Sequence, residues 1–228
     1  LRRDYHTTAE DYYTGRATIA YKFDNNTKLR SNLGTSVRFP SLNSLNHGNR
    51  LIVKENLKAE TGKSIDVGID KFFPKNNINL SATTFFLEYK NDIKGWASHS
   101  GGVGGSWALD NSNSKTESYG LEFQTDWKPN DNYSLGFGYT RTESYDGTTC
   151  DDPDSTGGPG SASCIDEMNV RVPRDQINLI GSKILDNGLK QSVRFKYVGE
   201  RRDLGNTNNN FEDVILSKYF TVDYFLNY

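Results

Sequence analysis

The sequence predicts an all-β fold: a transmembrane, antiparallel, up-and-down β-barrel, to which this chain contributes about nine strands. Three observations lead there. Strands of about ten residues alternate polar and apolar side chains. Their connections alternate between tight polar turns and long polar loops. Aromatic side chains gather near the strand ends, where a membrane interface would hold them.

Composition alone points elsewhere. The chain has 228 residues, a formal charge of −2 and a mean hydropathy of −0.73, figures usual for a soluble protein. No apolar run approaches the roughly 20 residues of a membrane-spanning helix. A barrel strand hides its membrane signal, because water-facing polar residues dilute the lipid-facing apolar ones. The near-zero charge and the lack of a basic stripe leave no footprint for a nucleic-acid partner.

The expected strands run over residues 12–23, 27–38, 63–73, 77–89, 115–128, 132–143, 174–185, 188–200 and 218–228. In the second, Leu29, Leu33 and Val37 oppose Lys28, Arg30, Asn32 and Ser36. In the third, Ile65, Val67 and Ile69 oppose Ser64, Asp66, Gly68 and Asp70. Tyr119, Leu121, Phe123 and Trp127 oppose Gly120, Glu122, Gln124 and Asp126 in the fifth. Tyr133, Leu135, Phe137 and Tyr139 follow in the sixth, against Ser134, Gly136, Gly138 and Thr140. Val193, Phe195 and Tyr197 oppose Ser192, Arg194 and Lys196; Val222, Tyr224 and Leu226 oppose Thr221, Asp223 and Asn227. A period of two over eight to ten residues means one dry face and one wet face.

The tight turns are Asp24-Asn25-Asn26, Pro74-Lys75-Asn76-Asn77, Lys128-Pro129-Asn130-Asp131 and Asp186-Asn187-Gly188. The long loops cover 38–62, 90–114, 143–173 and 201–216. Short connections at one end and long ones at the other suit a bacterial outer-membrane barrel, with turns in the periplasm and loops outside. The wet faces carry Arg16, Lys22, Arg30, Asp66, Glu122, Asp126, Arg194 and Lys196, charges that need a water-filled lumen. A soluble antiparallel sheet with one solvated face is the alternative from alternation alone. The parity of the connections and the aromatic strand ends favour the barrel.

An odd strand count leaves unpaired edges, which hydrocarbon does not tolerate. The chain, beginning at Leu1 and stopping at Tyr228 within a strand, is therefore expected to be an internal piece, residues 1–228 forming part of one barrel domain. Expressed alone, it is expected not to insert.

Two segments go further. Val37-Arg38-Phe39-Pro40-Ser41-Leu42 ends one strand, and Asn56-Leu57-Lys58-Ala59-Glu60-Thr61-Gly62 leads into the next. With Ser118-Tyr119-Gly120-Leu121-Glu122, Val172-Pro173-Arg174, Tyr197-Val198-Gly199-Glu200-Arg201 and Phe220-Thr221-Val222-Asp223, they resemble the ordered motifs of TonB-dependent outer-membrane receptors. The motif residues are Arg38, Pro40, Ser41, Leu42, Asn56, Leu57, Lys58, Glu60 and Thr61. Phe39 and Ala59 depart from the pattern, standing where a small residue and a proline are usual.

The order and compact spacing resemble most the vitamin B12 (cobalamin) receptor branch. The resemblance implies a barrel of about 22 strands around a plug, with the plug and the last two strands outside this chain. It implies an outer-membrane transport receptor, not an enzyme. Such a receptor binds a scarce large nutrient at its extracellular loops and imports it with energy from TonB of the TonB-ExbB-ExbD complex. Cobalamin is the implied cargo, and a siderophore or other ferric chelate the alternative; a passive porin is a further one. Outer-membrane lipid is the other expected partner. Pro40 is expected to end strand pairing. Lys58, Glu60 and Thr61 are expected to tie a loop base to the barrel wall or plug.

Cys150 and Cys164 bracket an Asp/Gly/Ser/Pro-rich tip, and a disulfide between them suits an oxidising surface compartment. Free thiols or a metal pair are the alternatives. No cofactor is expected. Asp152-Pro153-Asp154-Ser155-Thr156-Gly157 begins like a calcium loop but carries Ser163 at its twelfth position, where a bidentate Glu is required. Asp146, Asp151, Asp152, Asp154, Asp166 and Glu167 leave calcium open in another geometry. The three histidines, His6, His47 and His99, make no zinc spacing. Gly101-Gly102-Val103-Gly104-Gly105 lies between Trp96 and Trp107, a hinge flanked by large aromatics. Trp96, His99 and Trp107 are the candidate ligand-contact residues, against an aromatic, solvated loop tip.

Overall fold

The computed structural model describes residues 1–5, 11–41, 51–53, 57–99, 106–111, 115–146, 167–203 and 214–228. Its strands are β1 (Arg2–Asp4), β2 (Tyr12–Thr14), β3 (Arg16–Asp24), β4 (Thr27–Arg38), β5 (Leu51–Val53) and β6 (Glu60–Phe73). Then come β7 (Ile78–Lys90), β8 (Ile93–His99), β9 (Ser106–Asn111), β10 (Lys115–Asn130) and β11 (Tyr133–Asp146). Last are β12 (Glu167–Met168), β13 (Asp175–Ile184), β14 (Lys190–Val198), β15 (Arg201–Asp203), β16 (Val214–Leu216) and β17 (Tyr219–Asn227). No helix occurs among the described residues.

Nine of these form one antiparallel sheet in chain order, β3-β4-β6-β7-β10-β11-β13-β14-β17, with β12 paired onto β11. Each long strand pairs with the next long strand along the chain, an up-and-down meander. These nine are the nine expected strands, with shifted ends. The third begins at Glu60 rather than 63, because Arg38 and Glu60 stand directly opposite each other and extend the ladder. The first breaks at Gly15, where β2 leaves the sheet to pair with β1. Gly15 still bonds to Thr35, whose amide donates to the Gly15 carbonyl at 2.9 Å and whose hydroxyl accepts from the Gly15 amide at 2.9 Å.

The turns close by side-chain chemistry local to them. Asp24 accepts from the Asn26 amide at 2.6 Å and from the Thr27 hydroxyl at 3.0 Å. This amide bond, foremost, holds the Asp24 carboxyl below its ordinary pKa. Asn130 accepts from the amides of Asn132 and Tyr133, and Asn187 from that of Leu189. Gly188 takes φ +84°, a conformation open to glycine at no steric cost.

Register confirms the two faces. Ala17, Leu33, Ile65, Phe86, Tyr119 and Glu143 follow one another across the sheet, as do Tyr21, Leu29, Ile69, Ala82, Phe123 and Tyr139. The offset rows are polar: Thr18, Asn32, Asp66 and Lys28, Asp70, Ser81, Gln124. Neither face is covered by protein. Among the described residues the buried apolar side chains are few, Pro40, Leu57, Ala59 and Val198, whereas Ile19, Leu33, Val67, Leu121 and Val222 stand exposed. A soluble chain of this length buries most of its apolar surface. An apolar sheet face left bare over the strands calls for lipid as its solvent. The other face, wet and charged, is the lumen wall. Strands β3 and β17 are the sheet's open edges, and every residue of both is exposed.

Candidate functional site: the outer mouth of the barrel

On the lumen wall Arg30 is a hub. Its Nη2 donates to Thr83 Oγ1 at 2.6 Å and Ser81 Oγ at 3.3 Å, and its Nε to Asp70 Oδ1 at 3.4 Å. Asn32 Nδ2 donates to Asp66 Oδ1 at 2.7 Å, and Lys28 pairs with Asp70 at 3.0 Å. Gly68 makes this possible, since a Cβ there would lie 2.8 Å from Arg30 Cζ. Three strands thus share one polar network that is partly solvated, able to hold water or a polar body in the lumen.

Above it, the long connections are built rather than irregular. The expected loops at 38–62 and 90–114 meet in a three-stranded sheet of order β5-β9-β8. Strand β9 pairs antiparallel with β8, placing Trp107 opposite Ser98 and His99 opposite Ser106; β5 joins in parallel, with Leu51 opposite Trp107. Trp96 lies in the register shift between Lys94 and Ala97. The structure therefore brings Trp96, His99 and Trp107 onto one hairpin, to which the neighbouring connection is strapped. The glycine-rich tip, 101–105, lies outside the described residues.

The motif residues form the base of this lobe. Arg38 ends β4, and the buried Pro40 follows the last paired residue, as expected of a residue without an amide donor. Arg38 donates to both carboxylate oxygens of Glu60, through Nε to Oε2 and through Nη2 to Oε1 at 2.6 Å. Glu60 Oε1 also accepts from the Ile93 amide at 2.9 Å. Glu60 is only 8% exposed, between buried Ala59 and the paired Thr61. Burial works to raise its pKa. The Arg38 guanidinium and the Ile93 amide outweigh that and hold the carboxyl below its ordinary value.

Lys58 acts through its backbone: its amide donates to Asn111 Oδ1 at 2.6 Å, and its carbonyl accepts from Asn111 Nδ2 at 2.9 Å. Asn111 Nδ2 also donates to the Asn91 carbonyl at 2.7 Å. Asn91 itself takes φ +59° and donates to the Ala59 carbonyl at 3.4 Å. One asparagine thereby ties the end of the first connection to both ends of the second. Ser41 lies just past the ladder, while Leu42 and Asn56 fall outside the described residues.

A second base is built from charges. Glu143 accepts from Arg141 at 2.8 Å and pairs with Arg174 at 3.1 Å. Arg171 donates to Asp203 Oδ1 at 2.9 Å, and its amide to the Arg202 carbonyl at 2.7 Å, joining the last two connections. Asn111, Glu143, Arg171 and Asp203 were not singled out by sequence, since each is an ordinary polar residue outside any reading of spacing. The one available signal was their position at strand ends flanking long connections.

Cys150 and Cys164 lie outside the described residues, as do Asp151, Asp152, Asp154 and Asp166. Asp146 and Glu167 are opposite each other on β11 and β12. No group of three or more metal-ligating side chains occurs among the described residues.

Asn111→Ala is expected to uncouple the two connections. It removes three hydrogen bonds to backbone, at about 1 kcal/mol each. The result should be faster amide exchange at Lys58 and in β8 and β9, with the sheet strands unchanged; unchanged exchange at Lys58 would remove this role.

A bare apolar sheet face, a charged inner wall and long structured connections at one end define a bacterial outer-membrane barrel. Comparison with known proteins places it within that class. A family model described as TonB dependent receptor-like, beta-barrel matches residues 1–228, and the chain belongs to this family. It lies in the outer membrane, as the family does. No curated protein sequence matches the chain.

Several solved structures share the fold. The FrpB iron transporter from Neisseria meningitidis (F3-3 variant) superposes with TM-score 0.70 at 15% identity, over 96% of this chain and 31% of that one. A mutant of the ferric enterobactin receptor PfeA from Pseudomonas aeruginosa gives 0.69 at 17%, over 96% and 32%. The ferripyoverdine receptor of the outer membrane of Pseudomonas aeruginosa, bound to ferripyoverdine, gives 0.66 at 16%, over 92% and 26%. The chain thus spans between about a quarter and a third of the length of these receptors.

Proposed function

We propose that this chain forms part of an energised importer that captures a ferric chelate at its outer mouth and passes it inward intact. The observation that carries this reading is the lobe itself: the connections 38–60 and 90–115 are latched together above a wall of water-facing charges. A large polar cargo needs an ordered surface outside the membrane and a wet route through it. Trp96, His99 and Trp107 on the hairpin are the proposed contacts, offering aromatic faces and an imidazole to a chelate.

Transport requires that the lumen be closed at rest and opened by work. We assign that work to TonB acting on a plug seated against the Arg30 network, where hydrogen bonds to protein exchange for hydrogen bonds to water as the plug moves. No covalent step is involved. The cargo assignment is supported by the structural neighbours, an iron transporter and receptors for ferric enterobactin and ferripyoverdine. Cobalamin is the second reading, favoured by the order and spacing of the motifs from Arg38 to Asp223.

Equilibrium binding to the full-length receptor separates the two. Ferric enterobactin, as probe of a ferric chelate, is expected to bind and cyanocobalamin not to bind; the reverse result would replace the first reading by the second. Uptake in cells is expected to stop when the proton gradient is collapsed. Undiminished uptake would instead point to a passive pore.

A further inference from the structure

The lipid-facing side of β10, β11, β13, β14 and β17 is not smooth. Register sets Trp127, Leu135, Gly181, Val193 and Tyr224 in one row across these five strands. Four are large and exposed; the third is a glycine. The missing side chain opens a groove of about 470 Å³ lined by this row together with Tyr133, Lys183 and Pro129. The groove is open by design of the backbone, with no strain involved. A Cβ at Gly181 would meet only Leu135 Cδ1, at 3.8 Å, an ordinary contact.

The next row towards the short turns is Tyr133, Lys183, Gln191 and Leu226. Lys183 therefore has the same parity as the apolar residues and stands on the lipid side. It is two residues below Gly181, about 7 Å along the strand. Its Nζ lies 5.4 Å from the centroid of the Tyr133 ring, and among the described residues it has no carboxylate partner. Lys71, which also has lipid-side parity near a short turn, is already matched by Asp24 at 3.5 Å. A lysine facing hydrocarbon is tolerated only near an interface, where its ammonium reaches the headgroup level. The aromatic residues Trp127, Tyr133 and Tyr224 around it mark that level.

We infer that this groove seats one anionic phospholipid of the periplasmic leaflet. Lys183 takes the phosphate, Gln191 is within the same row to meet the polar headgroup, and the first acyl carbons lie in the notch over Gly181 between Leu135 and Val193. The occupant is set by charge and depth. The unmatched ammonium calls for net negative charge, and the short turns place it on the periplasmic side, where the leaflet is phospholipid.

The test is native mass spectrometry of the full-length receptor, released from micelles doped with phosphatidylglycerol or phosphatidylcholine. The wild type is expected to retain one phosphatidylglycerol in preference to phosphatidylcholine. Lys183→Gln is expected to lower that retention about fivefold, the worth of one lysine near an anionic surface. Lys183→Arg should restore it. Gly181→Leu fills the notch without changing charge and is expected to abolish retention of either lipid at this place. Because Lys183 is exposed, its variants will fold, and heat-modifiable gel mobility verifies this independently for Gly181→Leu. Equal retention of the two lipids by the wild type, or wild-type preference in Lys183→Gln, would overturn the assignment.

Discussion

Replacing Gly120 by alanine is expected to destabilise the barrel by about 1–3 kcal/mol, the range of overpacking in a close-packed site. The same change at Gly138 is expected to be neutral or stabilising by up to about 1 kcal/mol. Both glycines have lumen-facing parity, and both sit inside long strands. Gly120 is opposite Phe85 on one side and Thr142 on the other. A Cβ there would overlap the Arg141 carbonyl oxygen and lie 2.8 Å from Phe85 Cζ. The first of these is backbone and can yield only if β11 moves against β10. At Gly138 nothing lies within 4 Å of such a Cβ, so alanine merely reduces the freedom of the unfolded chain. Urea midpoints of the heat-modifiable band, measured on the full-length receptor, check the contrast. Similar shifts at the two positions would show that the packing of Phe85 over Gly120 contributes nothing.

Glu60→Ala is expected to release the outer lobe while leaving the sheet folded. The substitution removes a buried acceptor from the Ile93 amide and from Arg38. The exposed Arg38 side chain is well solvated, so its share is discounted. The net loss is about 1–3 kcal/mol. It should be read as local opening: protease cleavage and amide exchange rise at Leu57–Ala59 and from Ile93 into β8, with β6 and β7 still protected, and cargo affinity falls with them.

The pH dependence has a definite sign. The Glu60 carboxyl titrates lower in the folded protein than its ordinary 4.5. Its contribution is therefore fully present above about pH 5 and is lost as pH falls through the folded value. Amide exchange at Ile93 should be flat from pH 7 to 5, after correction for intrinsic rates, and rise below that. A protection factor that falls on raising the pH would contradict the ion-pair account. Arg38→Lys is expected to keep the charge and lose the two-pronged geometry, giving an intermediate effect.

Most of the fold was legible because a membrane barrel writes its faces locally. Leu29, Arg30 and Leu33 need no distant partner to declare which side each belongs to; period two does so within one strand. The turns were legible for the same reason, since Asp24 and Asn187 bond to amides two residues on. The motif residues Arg38 and Glu60 were found through resemblance, and their role at a loop base was anticipated. What pairs them, a direct cross-strand position that lengthens β6, was not. The connections read as loops because their strands are short, and β5 is only three residues long. Such segments carry too few alternations for a period to emerge.

The sequence by itself determined a nine-strand antiparallel wall, its dry and wet faces, which end carries the long connections, and the receptor family. Only the tertiary structure decided how those connections are held. Asn111 clasps Lys58 across fifty-three residues of chain, Arg171 reaches Asp203, and β5 lies parallel to β9. Lys183 likewise became a headgroup ligand only when register placed it beside the notch at Gly181. The physical reason is one of range. A strand's faces follow from the geometry of adjacent peptides, whereas a clasp or a groove depends on which distant side chains the closed ladder brings within hydrogen-bonding distance.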